Sequence, residues 1–166
     1  KVWVCQETSP AGSLLPPVDL ASVAATIKSK GHQAQILDLR LYDDPWQEYH
    51  KEHERFRPDA IILNLTTTSA THDYQLIAST PDHVKKICFG THAQEMVDYN
   101  FNKGVDFILL GDPEAAIASL IDCNMDGSRC LGVMTPKNNQ TTPHYWKNLD
   151  TLPKPALDLL DMTKYH

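Results

Sequence analysis

Short apolar runs alternate with amphipathic stretches along most of this chain. The apolar runs are rich in β-branched residues and occupy positions 2–5, 35–39, 60–65, 84–89 and 105–110. Their starts lie about 20 to 30 residues apart, a spacing typical of βαβ units rather than of hairpins. The pattern therefore predicts five strands of one parallel sheet.

The stretches that follow these runs have helical patterns. They predict helices over 17–30, 44–56, 71–79, 92–102 and 113–123. In the first, Leu20, Val23, Ala24 and Ile27 recur at spacings of three and four, and Gly31 follows as a stop. Strands that alternate with helices predict an α/β fold: a Rossmann-like (flavodoxin-like), doubly wound, parallel five-stranded sheet.

The alternation ends at residue 123. Turn-forming residues at 124–128 and 137–140 flank two short extended segments, 131–134 and 141–146, which predict a small hairpin at the sheet edge. The last segment contains two prolines between 149 and 161 and has no helical period. We therefore expect a Rossmann-like domain over 1–123, an edge hairpin over 124–148 and a linker over 149–166.

The composition narrows the possible partners. The 166 residues carry a net charge of -6, and the 15 basic residues are scattered, which argues against binding to a nucleic-acid backbone. No apolar run is long enough to cross a bilayer and the start lacks a signal-peptide core, so we expect a cytoplasmic protein without membrane contact. The chain begins at Lys1 rather than at Met, which suggests that residues before it were removed.

The four cysteines lack the close pairing of a metal site. Cys5, Cys88, Cys123 and Cys130 are expected to be reduced structural thiols, with a Cys123–Cys130 bridge as an open alternative.

Three of the predicted strands end in polar or glycine-bearing segments, 66–69, 90–92 and 111–114. The carboxyl ends of parallel strands form one rim, where α/β proteins bind ligands, and the loop after the first strand faces 66–69 across the switch point. The candidate ligand-binding residues are Gly12, Ser13, Leu14, Thr66, Thr67, Thr68, Ser69, Gly90, Thr91, His92, Gly111, Asp112 and Glu114.

Each of these segments also has a purely structural interpretation. Ser69 can begin a helix as its cap, the two glycines can serve tight turns, and Asp112 with Glu114 can cap the last helix. The sequence contains no GxGxxG, no GxxxxGK[ST] and no HExxH pattern. No nucleophile or oriented base accompanies the carboxylates, so we assign no catalytic and no metal-ligating residue.

Several motifs together resemble a known family, the N-terminal cobalamin-binding domain of cobalamin-dependent radical S-adenosylmethionine enzymes. The similar segments are 15–25, with a proline-led helix, then Gly31-His32, Leu37-Asp38, Pro58-Asp59-Ala60-Ile61, Gly90-Thr91-His92-Ala93, Gly111-Asp112-Pro113-Glu114 and the tail 152–160. The family more often has glycine at the positions of Asp19 and Thr91, and glycine or glutamate near Pro113. The resemblance spans nearly the whole chain.

The resemblance implies that cobalamin is the cofactor of the domain 1–123. The residues 6–17 contain no histidine and no Asp-x-His-x-x-Gly motif, so it implies a corrinoid held with its benzimidazole tail in the crevice and without an axial histidine from that loop. The CxxxCxxC motif of a [4Fe-4S] cluster is absent as well. The family thus implies a piece of a longer enzyme, a methyltransferase, whose C-terminal radical domain on the same polypeptide holds the cluster and S-adenosylmethionine.

Two other classes of protein share this strand pattern. A flavodoxin-like flavin-binding module needs a Ser/Thr/Gly-rich loop after the first strand, and Thr8, Ser9, Gly12 and Ser13 partly meet that need. A receiver-like signalling module needs an acidic cluster after the first strand and a lysine after the last. Gln6-Glu7 is a poor match, and no lysine follows Leu110 closely.

Overall fold

The computed structural model of the protein describes residues 1–6 and 14–165, with the backbone alone for residues 4–6. Its strands are β1 (Val2–Gln6), β2 (Ala34–Asp38), β3 (Ala60–Asn64), β4 (Lys85–Phe89), β5 (Phe107–Leu109) and β6 (Val133–Met134). They form one sheet in the order β2-β1-β3-β4-β5-β6. The first five are parallel and β6 is antiparallel to β5. The predicted flavodoxin-like α/β fold is confirmed, with an added antiparallel edge strand.

The strand order places a switch point between β1 and β3. From β1 the chain crosses to β2 on one side, and from β3 it continues to β4 and β5 on the other. Loops that leave neighbouring strands in opposite directions open a crevice at the carboxyl ends of those strands. The predicted rim is therefore where the candidate residues should meet.

Helices cover both faces of the sheet. They are α1 (Val18–Ser29), α2 (Pro45–Phe56), α3 (Ala70–Ser79), α4 (Thr91–Glu95), α5 (Val97–Asn102) and α6 (Pro113–Asp122). On one face, Leu20 and Ile27 of α1 pack with Leu120 of α6. On the other, Tyr49 of α2 and Leu76 of α3 belong to a separate apolar core. The doubly wound arrangement follows from these two cores.

The helix predicted over 92–102 is divided into α4 and α5. Met96 separates them with φ -114° and ψ 43°, outside the helical region. The fully buried Asn100 donates its side-chain amide to the carbonyl of Ala93 at 3.0 Å and to that of His92 at 3.5 Å. A side chain thus satisfies carbonyl groups at the break, which the helical pattern of the sequence did not reveal.

The predicted edge hairpin over 124–148 takes another form. Val133 and Met134 pair with β5, but the later segment does not return along them; instead His144 forms a parallel bridge with Gly111. The amide of His144 donates to the carbonyl of Leu110, and the amide of Asp112 donates to the carbonyl of His144. Both segments therefore extend the same edge of the sheet, one after the other.

The final segment packs against the body of the protein. The amide of Ala156, a buried residue, donates to the carbonyl of Ala21 in α1 at 2.9 Å. Lys28 near the end of α1 pairs with Asp158 at 2.8 Å. We call residues 149–165 the tail, since they lie along α1 and reach β2.

Candidate functional site

A cleft of about 500 Å³ lies at the carboxyl ends of β3, β4 and β5. We call it the rim cleft. It is lined by Asp19, Asn64, Thr66, Phe89, Gly90, Thr91, Gln94, Gly111, Pro113 and Glu114. The three strand-end segments singled out in the sequence thus meet in one place, together with the first turn of α1.

The threonine segment after β3 contributes one of its four hydroxyl residues to the cleft. Thr66 lines it, and its Oγ1 lies 2.8 Å from that of Ser69. Ser69 is buried and donates a hydrogen bond of 2.6 Å to Asp73 inside α3. Thr67 and Thr68 are exposed beside the cleft rather than in its wall. Ser69 therefore fixes the start of α3, while the three threonines present hydroxyls near the rim.

Gly90 lies closer to Asn64 and Leu65 than a residue with a Cβ could. Its φ is +98°, and a Cβ placed there would lie 2.3 Å from Oδ1 of Asn64 and 2.7 Å from the carbonyl of Leu65. The amide of Asn64 in turn donates to Asp19 at 2.5 Å. Gly90 therefore lets the β4 loop close against the end of β3, and Asn64 connects both to α1.

His92 points away from the rim cleft. Its Nε2 lies 3.1 Å from the hydroxyl of Tyr74, and that hydroxyl donates to the buried Asn100 at 2.7 Å. Since the Tyr74 hydroxyl donates its proton to Asn100, it accepts a hydrogen bond from Nε2 of His92. The other ring nitrogen of His92, Nδ1, lies 3.4 Å from Oγ1 of Thr67. Burial is the main cause that raises the pKa of Tyr74 to about 12. His92, on α4, is thus held against Tyr74 of α3.

This histidine lines a second cavity of about 540 Å³, which we call the side groove. It lies between α3 and the α4–α5 segment and is lined by Ala70, Thr71, Tyr74, Gln75, Ala78, His92, Met96, Tyr99 and Lys103.

The segment after β5 divides between the cleft and the sheet edge. Gly111 has φ +82°, and a Cβ there would lie 2.2 Å from the carbonyl of His144. Asp112 accepts a hydrogen bond of 2.9 Å from the backbone amide of Trp146 and makes no side-chain bond within its own helix. Glu114, in the first turn of α6, lines the cleft. Asp112 thus anchors the returning chain, whereas Gly111 and Glu114 form the cleft wall.

Sequence reasoning missed five residues of this cleft: Asp19, Asn64, Phe89, Gln94 and Pro113. One of them carried a usable signal, because Asn64 is a polar residue at the end of an otherwise apolar strand. Of the candidates in the loop after β1, Gly12 and Ser13 lie outside the described residues. Leu14 is half-buried and directly precedes the entry to α1.

The rim cleft contains acidic and neutral polar groups. Asp19 and Glu114 are its carboxylates, and none of the described residues that line it is basic.

The described residues also contain no group of three or more metal-ligating side chains. No helix among them is long and apolar enough to span a membrane. Cys88, Cys123 and Cys130 are free thiols.

Comparison with curated proteins identifies two relatives. The sequence is 25% identical over 167 positions to an uncharacterized methyltransferase of Pyrococcus horikoshii, covering 93% of this chain and 36% of that protein. It is 26% identical over 159 positions to hopanoid C-3 methylase of Methylococcus capsulatus, covering 88% and 30%. The chain thus spans about a third of the length of these relatives. No protein-family model matches the sequence.

Two enzymes of known structure contain a similar fold. One is the radical S-adenosylmethionine methyltransferase TsrM from Kitasatospora setae, with a TM-score of 0.67 at 15% identity over 86% of this chain and 30% of TsrM. One of its structures holds cobalamin and a [4Fe-4S] cluster. The other is OxsB, a cobalamin-dependent radical enzyme with aqua-cobalamin and S-adenosylmethionine bound, at a TM-score of 0.75 and 11% identity over 96% of this chain and 24% of OxsB. At these identities the likeness concerns the fold.

Proposed function

We propose that this chain binds cobalamin at the rim cleft and forms the cobalamin-binding part of a radical S-adenosylmethionine methyltransferase. The two curated relatives are a methyltransferase and a methylase by name. Two structures with this fold hold cobalamin in larger enzymes. These similarities support the class of cofactor, and the chemistry of the cleft supports its place on this chain.

The observation that carries the proposal is the set of hydrogen-bonding groups in the rim cleft. Cobalamin bears primary amides around its corrin ring, and these donate to carboxylates and exchange hydrogen bonds with hydroxyls and amides. The cleft offers carboxylates from Asp19 and Glu114, hydroxyls from Thr66 and Thr91 and the side-chain amide of Gln94. These groups match a ligand with many neutral donors.

The same cleft has apolar surface for part of the ligand. Phe89, which is buried, and Pro113 both line it. We expect these residues to contact the benzimidazole, with the backbone of Gly90 and of Gly111 beside them in the cleft wall. Thr67, Thr68, Gly12, Ser13 and Leu14 remain proposed contacts of the ligand.

When bound, cobalamin supplies a cobalt centre that can carry and transfer methyl groups. This chain's own residues bind and orient the group and limit the access of water. No histidine is among the described residues that line the rim cleft, and His92 is engaged with Tyr74. The proposal therefore includes a corrinoid without an axial histidine. Radical generation, with its [4Fe-4S] cluster and S-adenosylmethionine, belongs to another part of the parent enzyme.

The charges of the cleft argue against a flavin nucleotide in this position. The phosphate of flavin mononucleotide carries nearly two negative charges, and Asp19 and Glu114 would repel it without a compensating cation from the described lining. The phosphodiester of the cobalamin tail carries a single negative charge, so it meets a weaker repulsion, and the corrin amides can donate to the same carboxylates.

Two tryptophan substitutions test where the cofactor binds. Thr91→Trp fills the rim cleft, whereas Thr71→Trp adds the same bulk to the side groove; both threonines are exposed at the start of a helix. We expect Thr91→Trp to raise the Kd for hydroxocobalamin at least about tenfold and Thr71→Trp to leave it unchanged, measured by visible titration. The reverse order would move the site to the side groove. Flavin retained in place of cobalamin would refute the proposal.

A further inference from the structure

A buried ion pair at the end of β2 connects the tail to the start of α1. Asp38 is the last residue of β2, and its carboxylate is 1% exposed. Arg40 donates to it from its backbone amide at 3.1 Å, from Nε at 2.8 Å and from Nη2 at 2.6 Å. A paired geometry of this kind holds a guanidinium in one orientation.

The oriented guanidinium reaches the segment that enters α1. Nη2 of Arg40 donates a hydrogen bond of 2.9 Å to the carbonyl of Leu15. Leu15 precedes the two prolines at the beginning of α1, and Asp19 of the rim cleft lies in the first helical turn. The hydrogen bond to Asp38 raises the pKa of Arg40, although burial acts in the opposite direction. Arg40 therefore fixes the backbone just before a residue of the cleft.

The tail supplies the last member of this network. The hydroxyl of Tyr165 donates to Oδ2 of Asp38 at 3.1 Å, across 127 residues of sequence. Lys164 places its amine 5.4 Å from the centre of the Tyr42 ring, beside the same strand. Without the Tyr165 hydroxyl, Asp38 would lose one neutral hydrogen-bond donor but keep its bonds to Arg40. We therefore expect the fold to persist, with the side chains of Asp38 and Arg40 less firmly oriented.

We infer that the tail regulates the rim cleft: Tyr165, acting through the Asp38–Arg40 pair on Leu15, holds the start of α1 and thus Asp19 in its binding position. This inference rests on the proposed binding of cobalamin in that cleft. Tyr165, Asp38 and Arg40 are positioning residues, since none of them lines the cleft. Release of the tail lowers the affinity for the cofactor without unfolding the domain.

The test compares the wild-type protein with Tyr165→Phe and with the control Tyr145→Phe, which removes the same hydroxyl from a largely exposed side chain near the opposite edge of the sheet. Hydrogen exchange of the amides in 15–21 reports on the start of α1, and visible titration with hydroxocobalamin reports on the cleft. We expect faster exchange over 15–21 and a Kd raised about fivefold in Tyr165→Phe alone, with Tm lowered by no more than about 4 °C.

A double variant separates coupling from a general loss of structure. Arg40→Lys keeps the charge beside Asp38 but lacks the forked geometry that also reaches Leu15. Once this route is broken, adding Tyr165→Phe is expected to weaken binding no further. Additive losses of affinity would mean that Tyr165 does not act through Arg40, and would overturn the inference.

The remaining outcomes distinguish the inference from the proposed function. Equal exchange over 15–21 in wild type and Tyr165→Phe overturns the inference, whether or not cobalamin binds. Faster exchange with an unchanged Kd overturns it as well, because the tail then has no effect on the ligand. If the wild-type protein binds no hydroxocobalamin, the proposed function is refuted, and so is the effect of the tail on affinity. The exchange data then still decide whether Tyr165 holds the start of α1.

Discussion

The side chain of Asn64 donates a hydrogen bond of 2.5 Å to the carboxylate of Asp19, which links the end of β3 to the first turn of α1. The carbonyl oxygen of the same side chain lies so close to Gly90 that a Cβ on residue 90 would be only 2.3 Å from it. Asn64 thus joins three elements of the rim, and the wall of the rim cleft depends on glycine at position 90.

Gly90→Ala should be far more costly than an alanine at another glycine of positive φ. Both Gly90 and Gly31 have positive φ, but a Cβ at Gly31 meets nothing within 4 Å. We expect Gly31→Ala to lower the free energy of unfolding by about 1 kcal/mol, and Gly90→Ala by about 3 kcal/mol, because backbone overlap adds to the conformational cost. Urea denaturation of the two variants provides the measurement. Equal losses would show that the β4 loop can move away from Asn64.

Asp112→Ala tests whether this carboxylate serves the fold rather than the ligand. Loss of its bond to the amide of Trp146 should lower the free energy of unfolding by about 1 to 2 kcal/mol and leave the Kd for cobalamin within about twofold. Asp122→Ala, on the same helix, removes only an exposed ion pair with Lys30 and should cost less than about 1 kcal/mol. A large loss of cobalamin affinity in Asp112→Ala with normal stability would return Asp112 to the ligand site.

His53 should make the protein less stable as the pH falls. Burial, and then the charges of His83 and His50, lower the pKa of His53 below its ordinary value of 6.5. The unfolded chain therefore takes up this proton before the native protein does. Stability is complete above the unfolded pKa and decreases as the pH falls through it.

The variant His53→Phe removes this titration and also a buried Nε2 that has no hydrogen-bond partner among the described residues. Between about pH 7.5 and about pH 5.5, we expect the Tm of the wild type to fall by about 2 °C more than that of His53→Phe. His32→Gln, at an exposed position, should behave like the wild type. Identical pH profiles for wild type and His53→Phe would contradict the lowered pKa of His53.

The thiols should differ in their reactivity. Cys88 is fully buried, and burial raises its pKa well above the ordinary value. Burial and a hydrogen bond with Cys123 raise the pKa of Cys130 to about 12. Since the thiolate is the reactive form, iodoacetamide at about pH 8 should alkylate Cys123 at least about tenfold faster than Cys88 or Cys130. Peptide mass spectrometry measures the rates, and rapid labelling of Cys88 in the folded protein would exclude the buried position.

The sequence was sufficient for the parts of the fold that depend on local pattern. The apolar runs and their βαβ spacing predicted the parallel strands, and strand-end segments such as 66–69 and 111–114 predicted where the rim would be. The sequence indicated that Gly90 could serve a tight turn. It did not reveal that position 90 requires glycine because of the contact with Asn64.

What the sequence could not predict are contacts between distant residues. Asn64 and Asp19 are 45 positions apart, and they meet only because α1 returns over the sheet beside β3. Likewise, Asp112 finds Trp146 because the chain returns along the edge of β5. The orientation of the His92 ring depends on Tyr74 and on the buried Asn100. The position of His92 directly after β4 in the sequence therefore did not reveal where its ring points.

The most direct test of the account is the binding of cobalamin by the wild-type protein. The protein is mixed with hydroxocobalamin, or separately with flavin mononucleotide, and desalted before its visible spectrum is recorded. We expect about one equivalent of corrinoid to stay with the protein and flavin to be removed by desalting. A colourless protein after mixing with hydroxocobalamin, or one that retains flavin instead, would contradict it.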